Sequence, residues 1–335
     1  MNTLVDLVLV AATVAQLCSK QGMVIASTLD RSDPWETRVA TADSLCYVAS
    51  LFPDEQVIPL FQFLIQDEAL GDRHMDVRRR MLEAGVLVIQ FHGKSQIAGL
   101  ISSFESYLSA QPSESDSGDY IRQAVVILLG AVAQHLQKSD QRIKDVVSRL
   151  IEALKTPSEV VQESVADCLT PLAPLIEDEI STIVDRLYDD LTSGPKYAGR
   201  RGAAYGIAGI IRGTGVVGIQ RYNIIRRIRE SAGDKSSFEA RQGASFVMET
   251  LARILGRKFE PYVVQLLPVL LTSFGDANAD VREATIDASK VIMGMLSGYG
   301  VKQMMPKVIE GLEERQWRTK KVSLVMSVLS TVHVH

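Results

Sequence analysis

Ten basic side chains in the second half of this chain have the types and spacing to hold phosphate. Lys196, Arg200 and Arg201 stand together. Arg221, Arg226, Arg227 and Arg229 follow, and Arg318, Lys320 and Lys321 come last. A stripe of such groups on one edge would track a nucleic-acid backbone by charge without reading bases. The nearby rings are only Tyr197, Tyr205 and Tyr222, too few to stack successive bases of a single strand. Contact with a folded RNA or with an acidic protein both fit.

Other chemistry finds no frame. Gly213-Thr214-Gly215-Val216-Val217-Gly218 satisfies G-x-G-x-x-G, but a dinucleotide site needs those glycines between a strand and a helix. Here they follow an apolar helical stretch, Ala203 to Arg212, and read as a turn with Gly213 as the residue past the helix end. Cys18, Cys46 and Cys168 have no C-x-x-C spacing and read as small buried hydrophobes of a reducing compartment. His74, His92, His135, His333 and His335 form no metal-ligand pattern. Asp189-Asp190 and Glu177 to Glu179 read as solvated helix ends. No metal, no cofactor, no small-molecule substrate and no catalytic activity are expected.

The elements that must position the basic groups follow from a recurrence. A short dipeptide, usually ending in arginine, opens an apolar helix at Thr37-Arg38, Val77-Arg78, Ile121-Arg122, Val161-Gln162, Gly199-Arg200, Ala240-Arg241, Val281-Arg282 and Trp317-Arg318. The steps are 40, 44, 40, 38, 41, 41 and 36 residues. Paired helices at a period near 40 mark the HEAT/armadillo class. The expectation is an all-α solenoid of about eight helix pairs, one continuous body over residues 1–335. The first helices of the pairs read at Val57 to Leu64, Ile97 to Leu108, Val146 to Leu154 and Val263 to Phe274, with one around Arg221 to Arg229. Pro261 suits a helix start, Pro268 should bend its helix, and Asp280 is expected to cap the helix after it. Arginine at the second helix can pair with a neighbouring acid, as in Asp234 with Arg241 and Asp276 with Arg282, forming a ladder that holds repeat to repeat. Gln111 to Asp119 reads as a loop.

Charge is uneven. Residues 1–193 hold 15 Lys+Arg and 28 Asp+Glu, net −13, while residues 194–335 hold 21 and 12, net +9. An acidic part, 1–193, joined to a basic part, 194–335, suggests different partners at the two ends. Leu4 to Cys18 is apolar, but it has Asp6, lacks a basic start and is too short to span a bilayer. It reads as a solenoid helix at a fragment boundary, and the chain as a cytoplasmic protein with no membrane contact.

Three stretches carry a resemblance: KYAGRRGAAYGIAGIIRGTGV (Lys196 to Val216), KFEPYVVQLLPVLLTSFGDANADVREA (Lys258 to Ala284) and GVKQMMPKVIEGLEERQWRTK (Gly300 to Lys320). Fainter echoes lie at Asp76 to Gly93 and Leu154 to Pro174. The chain from about Asp30 to Lys321 resembles the central HEAT region of the ribosome-associated translational activator of general amino-acid control, which activates the initiation-factor-two-alpha kinase. Its last repeats are also similar to the HEAT region of translation elongation factor three. The resemblance implies a non-catalytic scaffold on ribosomes in the amino-acid starvation response, with the ten basic residues as candidate ribosome or rRNA contacts. It implies other factors of the kinase pathway as partners, through regions absent from this chain. The chain is far shorter than a full activator, and Ser327 to His335 leave the family's pattern. Two alternatives stand beside it. One is an elongation-factor-three-like ribosome-binding module. The other is a transport- or phosphatase-type scaffold cradling peptides, which would want an acidic inner surface with Trp or Asn, a lining the sequence does not display.

Overall fold

A computed structural model of the chain describes residues 34–110 and 115–313. Cys18, Leu4 to Cys18, Trp317, Arg318, Lys320, Lys321, His333 and His335 lie outside the described residues, as does part of the expected 111–119 loop. Among the described residues there are fifteen α-helices, four short 3-10 turns and no strand. The all-α reading therefore holds. The contacts divide the chain into two compact units, residues 1–153 and 154–335.

The first unit carries α1 (Trp35–Val48), α2 (Asp54–Gln66), α3 (Met75–His92), α4 (Ile97–Ser109), α5 (Asp116–Ala133) and α6 (Arg142–Ala153). Here α1, α3 and α5 pack side by side, α4 leans on α5, and α5 on α6. The core is the apolar face of each helix: Val57, Phe61 and Leu64 of α2, Met81, Val88 and Ile89 of α3, Leu100 and Phe104 of α4, all without solvent exposure. The Phe61 and Phe104 rings meet edge to face at 5.3 Å, the arrangement ring quadrupoles favour.

The second unit carries α7 (Glu159–Leu172), α8 (Ile180–Ser193), α9 (Tyr197–Thr214), α10 (Val217–Arg221), α11 (Ile224–Ala232), α12 (Phe238–Leu255), α13 (Glu260–Ser273), α14 (Ala279–Met295) and α15 (Gly298–Glu313). One layer stacks α7, α9, α12 and α14 in sequence order. The other layer contains α8, α11, α13 and α15, with α13 packed between α11 and α15. The helix expected around Arg221 to Arg229 is two helices, α10 and α11, because Asn223 takes the left-handed conformation at φ 54. Asparagine tolerates that conformation better than most residues. Pro261 sits in the first turn of α13, and the helix continues through Pro268.

Seven of the eight expected second helices are described: α1, α3, α5, α7, α9, α12 and α14. In all but α5 the recurring residue is fourth in its helix. The reason is local. From that position the side chain reaches back to the turn that feeds the helix: Arg78 to the Asp72 carbonyl at 2.6 Å, Gln162 to the Thr156 carbonyl at 2.8 Å, Arg200 to the Gly194 carbonyl at 2.9 Å, Arg241 to the Asp234 carbonyl at 2.8 Å and Arg282 to the Asp276 carbonyl at 2.7 Å. Each hook satisfies a turn carbonyl that has no partner within a helix.

The same residues also join neighbouring repeats, but not through the pairs read from spacing. Asp276 gives its carbonyl to Arg282 and its carboxylate to Arg241 of the preceding repeat, at 2.7 Å. Likewise Asp72 accepts Arg78 on its carbonyl and Arg38 on its carboxylate, at 2.7 and 3.0 Å. Gln162 reaches the Ala198 carbonyl at 2.9 Å, and Arg200 the Gln242 side chain at 2.5 Å. The ladder is present in two acid–arginine clasps: Asp276 gives its carboxylate to Arg241, one repeat before the Arg282 that local spacing suggests, and Asp72 gives its own to Arg38 in the same way.

The N-cap of α14 is Asn278, not Asp280: its side chain accepts from the amides of Asp280 at 2.7 Å and Val281 at 3.4 Å. Asn278→Ala should therefore lower stability by about 1 kcal/mol. Asp280→Ala should cost less, since Asp280 contributes only a first-turn charge. Urea midpoints of the two variants check the order.

Candidate functional site

The structure brings the candidate basic residues of the second unit to very different surroundings. Arg200 is buried, with its guanidinium spent on Gly194 and Gln242. Burial pulls its pKa down. It belongs to the repeat-joining ladder and cannot form part of a surface stripe. Arg201 is half-buried and ion-paired with Glu159. Arg227 pairs with Asp185 and lies over the Tyr188 ring at 4.8 Å, so it too is part of the packing. Tyr188 itself is buried, which drives its hydroxyl pKa up.

Three others face solvent on α10 and α11. Arg221 pairs with Glu177 at 2.8 Å, Arg226 with Glu230 at 2.7 Å, and Arg229 donates to the Gln265 carbonyl at 3.1 Å. Arg226 is 75 % exposed, and an exposed i,i+4 pair is worth only ~0.3–0.5 kcal/mol. A phosphate can displace such a partner. Lys196 is exposed immediately before α9. Arg318, Lys320 and Lys321 fall outside the described residues.

The charge asymmetry has an internal use that composition alone hides. Arg201 meets Glu159, Arg212 meets Asp167 at 2.5 Å, Arg221 meets Glu177 at 2.8 Å, and Arg227 meets Asp185. In every pair a base from 194–335 neutralises an acid from 1–193. The separations are 42 to 45 residues, one repeat apart. Part of the split is therefore a stacking device within the second unit, and only the remainder is open to a partner. That period-length offset between opposite charges was a signal the sequence already carried.

The G-x-G-x-x-G run is a turn, with one correction. Gly213 lies inside α9 and Gly215 is the residue past its end, at φ 77. A side chain at Gly213 would run into the Thr170 carbonyl of α7. Cys168 is fully packed and burial raises its thiol to about 12. Cys46 is half-buried, and neither of these two cysteines forms a disulfide. Among the described residues no group of three His, Cys, Asp or Glu could hold a metal, and no helix is long and apolar enough to cross a membrane.

A second surface went unread in the sequence. One face of α7, α9, α12 and α14 lines a groove that contains Glu159, Glu163, Tyr197, Glu249, Asp280 and Glu283. Glu159 anchors its floor. Burial alone would raise the Glu159 carboxyl, but the Tyr205 hydroxyl, at 2.8 Å, together with Arg201 and Arg253 outweighs this and holds it below the usual range. The acidic lining that a peptide cradle would want is therefore present, on helix faces that only the stacking register aligns.

Comparison with known proteins places these surfaces in context. The family profile described as "Stalled ribosome sensor GCN1, HEAT repeats" matches residues 10–134, and "EF3 N-terminal HEAT repeat" matches residues 200–332. The human protein "Stalled ribosome sensor GCN1" is 44 % identical over 292 residues, 87 % of this chain and 11 % of that protein. The Saccharomyces cerevisiae "eIF-2-alpha kinase activator GCN1" is 39 % identical over 307 residues, 90 % of this chain and 11 % of its own length. "Elongation factor 3" of Gonapodya prolifera is 28 % identical over 157 residues, 46 % of this chain and 14 % of that one. Among solved structures, the karyopherin Kap121p bound to the C-terminus of the phosphatase Cdc14p superposes with a TM-score of 0.45 at 14 % identity, over 92 % of this chain and 33 % of that one. The chain thus spans 11 % of the length of the GCN1 proteins it matches.

Proposed function

This chain is a HEAT-repeat relative of the GCN1 stalled-ribosome sensors, and from that premise we propose that it is a non-catalytic scaffold that binds ribosomes and supports activation of the initiation-factor-two-alpha kinase. The reading is carried by the row of solvent-facing arginines, Arg221, Arg226 and Arg229, on α10 and α11. That row lies within the residues that match the elongation-factor-three HEAT profile. Guanidinium groups held by weak surface partners exchange them for rRNA phosphates and release counterions. Lys196, exposed immediately before α9, is a further contact in this reading. Arg200, Arg201 and Arg227 serve the fold. The likeness of the second half to elongation factor three favours the same ribosomal destination. Kinase activation is carried by the whole assembly, and no residue of this chain is assigned to the kinase.

Co-sedimentation of the full chain with ribosomes across a salt series tests this. The double variant Arg226→Glu/Arg229→Glu should pellet about tenfold more weakly at low salt. Its log affinity should also fall less steeply with log salt, by about 1.5. Helicity should stay unchanged. Arg227 is left in place because reversing it would break the Asp185 and Tyr188 contacts. Pelleting that ignores both salt and the double reversal would rule the arginine contact out.

A further inference from the structure

We propose that the groove across α7, α9, α12 and α14 is a second binding site, which takes an extended, Lys/Arg-rich segment of a partner protein. The groove is about 820 Å³ and is built from one face of four successive helices. On α12 its residues are Gln242, Phe246, Glu249 and Arg253, and on α14 its charged residues are Asp280, Glu283, Asp287 and Lys290, each set spaced at three or four residues. Helices packed about 9 Å apart make four of them about 30 Å wide. An extended chain crosses that distance in about nine residues.

The charges choose the occupant. Six carboxylates line the groove against three bases. The bases are already committed: Arg201 to Glu159, Arg253 to Glu249 at 2.7 Å, and Lys290 to Asp287 at 2.9 Å. Glu163, Asp280 and Glu283 are exposed, and none of them pairs with a basic side chain among the described residues. They stand on α7 and α14, the two outer helices of the four. No three acids converge closely enough for one metal ion. The demand is therefore for positive charge spread along the groove, which a point cation cannot meet and a basic peptide can. Between these helices Tyr197 is 53 % exposed, its ring edge-on to Phe246 at 5.2 Å. Its open face suits a guanidinium. The Glu159–Arg201–Tyr205 and Glu249–Arg253 contacts hold the floor rigid before anything binds, which lowers the ordering cost of association. A nucleic acid would meet the same carboxylates with like charge.

Fluorescence anisotropy of the full chain with a labelled arginine–serine peptide of about twelve residues tests the assignment. Binding should be measurable at low salt and weaken as salt rises. Glu163→Lys/Asp280→Lys/Glu283→Lys should weaken it by about thirtyfold or more, and Tyr197→Ala by about threefold. Glu163→Gln and Glu283→Gln, each a gentler change, should cost about threefold apiece and cover the case in which the triple variant fails to fold. Arg226→Glu/Arg229→Glu should bind the peptide as the parent does, so a failure here is distinguishable from a failure of ribosome pelleting. Absence of binding at low salt, full affinity in the groove variants, or a loss of polyuridine binding in place of peptide binding would each overturn the site.

Discussion

Gly209→Ala is expected to destabilise the second unit by about 2–3 kcal/mol, while Gly199→Ala, ten residues earlier in the same helix, should stabilise it slightly. At Gly209 an added Cβ would meet three backbone atoms of Ala166 in α7, its carbonyl oxygen at 2.6 Å, Cα at 2.8 Å and carbonyl carbon at 3.1 Å. Backbone cannot swing aside as a side-chain tip can, so the two helices must part. Gly202 faces the Leu154 carbonyl and Gly213 the Thr170 carbonyl in the same manner, and with Gly206 they form a seam spaced four, three and four residues apart. The close approach is used: the Thr170 hydroxyl bonds the Gly209 carbonyl at 3.2 Å and receives Arg212 Nε at 2.8 Å. At Gly199 nothing lies within 4 Å, so alanine there only reduces the freedom of the unfolded chain, worth about 0.5 kcal/mol. Urea midpoints followed by circular dichroism decide the matter. Equal stability of the two variants would mean that the seam does not set the helix spacing.

Legibility in the sequence divides along a physical line. The recurring Arg or Gln was legible because its first job is local: it hooks a carbonyl six or seven residues upstream, and local geometry repeats with the sequence. Its second job needs the stacking register, so Asp276 was assigned to Arg282 when its carboxylate belongs to Arg241. The basic cluster was legible as composition but not as a surface. Arg200 stands at the recurring position yet was grouped with the open bases, and Arg227 is the sequence neighbour of Arg226, yet Arg200 and Arg227 are packed into the structure while Arg226 is open. The acidic groove was missed for the same reason. Glu163, Tyr197, Glu249 and Glu283 are more than 30 residues apart each from the next, and they share a face only because α7, α9, α12 and α14 lie side by side. The break at Asn223 was hidden by an apolar, basic stretch whose composition suits one longer helix.

Removal of the Arg38 side chain should cost the first unit about 3–5 kcal/mol, the largest single effect expected. Arg38 is 2 % exposed and its partner Asp72 8 %. The guanidinium donates twice to that carboxylate, at 2.7 and 3.0 Å, a two-point geometry that lysine cannot reproduce. Arg38→Ala leaves Asp72 charged and partly desolvated, with the His74 amide still donating to its carboxylate at 2.8 Å. Burial alone would raise the Asp72 carboxyl, but the Arg38 hydrogen bonds, the His74 amide and the charges of Arg38 and Arg73 together hold it below the ordinary value of 3.8. A depressed carboxylate contributes fully above its unfolded pKa, about 4, and that contribution is lost as pH falls through the folded value. The parent should therefore lose stability on acidification below about pH 4 more steeply than Asp72→Asn does. Trp35, stacked on His74 at 4.2 Å, reports this unit by fluorescence once Trp317 is replaced by Phe. Arg79, 53 % exposed on the same helix as Arg78, is the control. If Arg38→Ala moves the urea midpoint no further than Arg79→Ala, the clasp is idle. If Arg38→Met/Asp72→Leu restores most of the loss, the penalty lies in the stranded charge, as expected when a buried pair is broken from one side. The Arg241–Asp276 clasp, with the same two-point contact at 2.7 and 3.2 Å, should then behave alike in the second unit with a smaller loss of about 2 kcal/mol, because its partners are less fully enclosed.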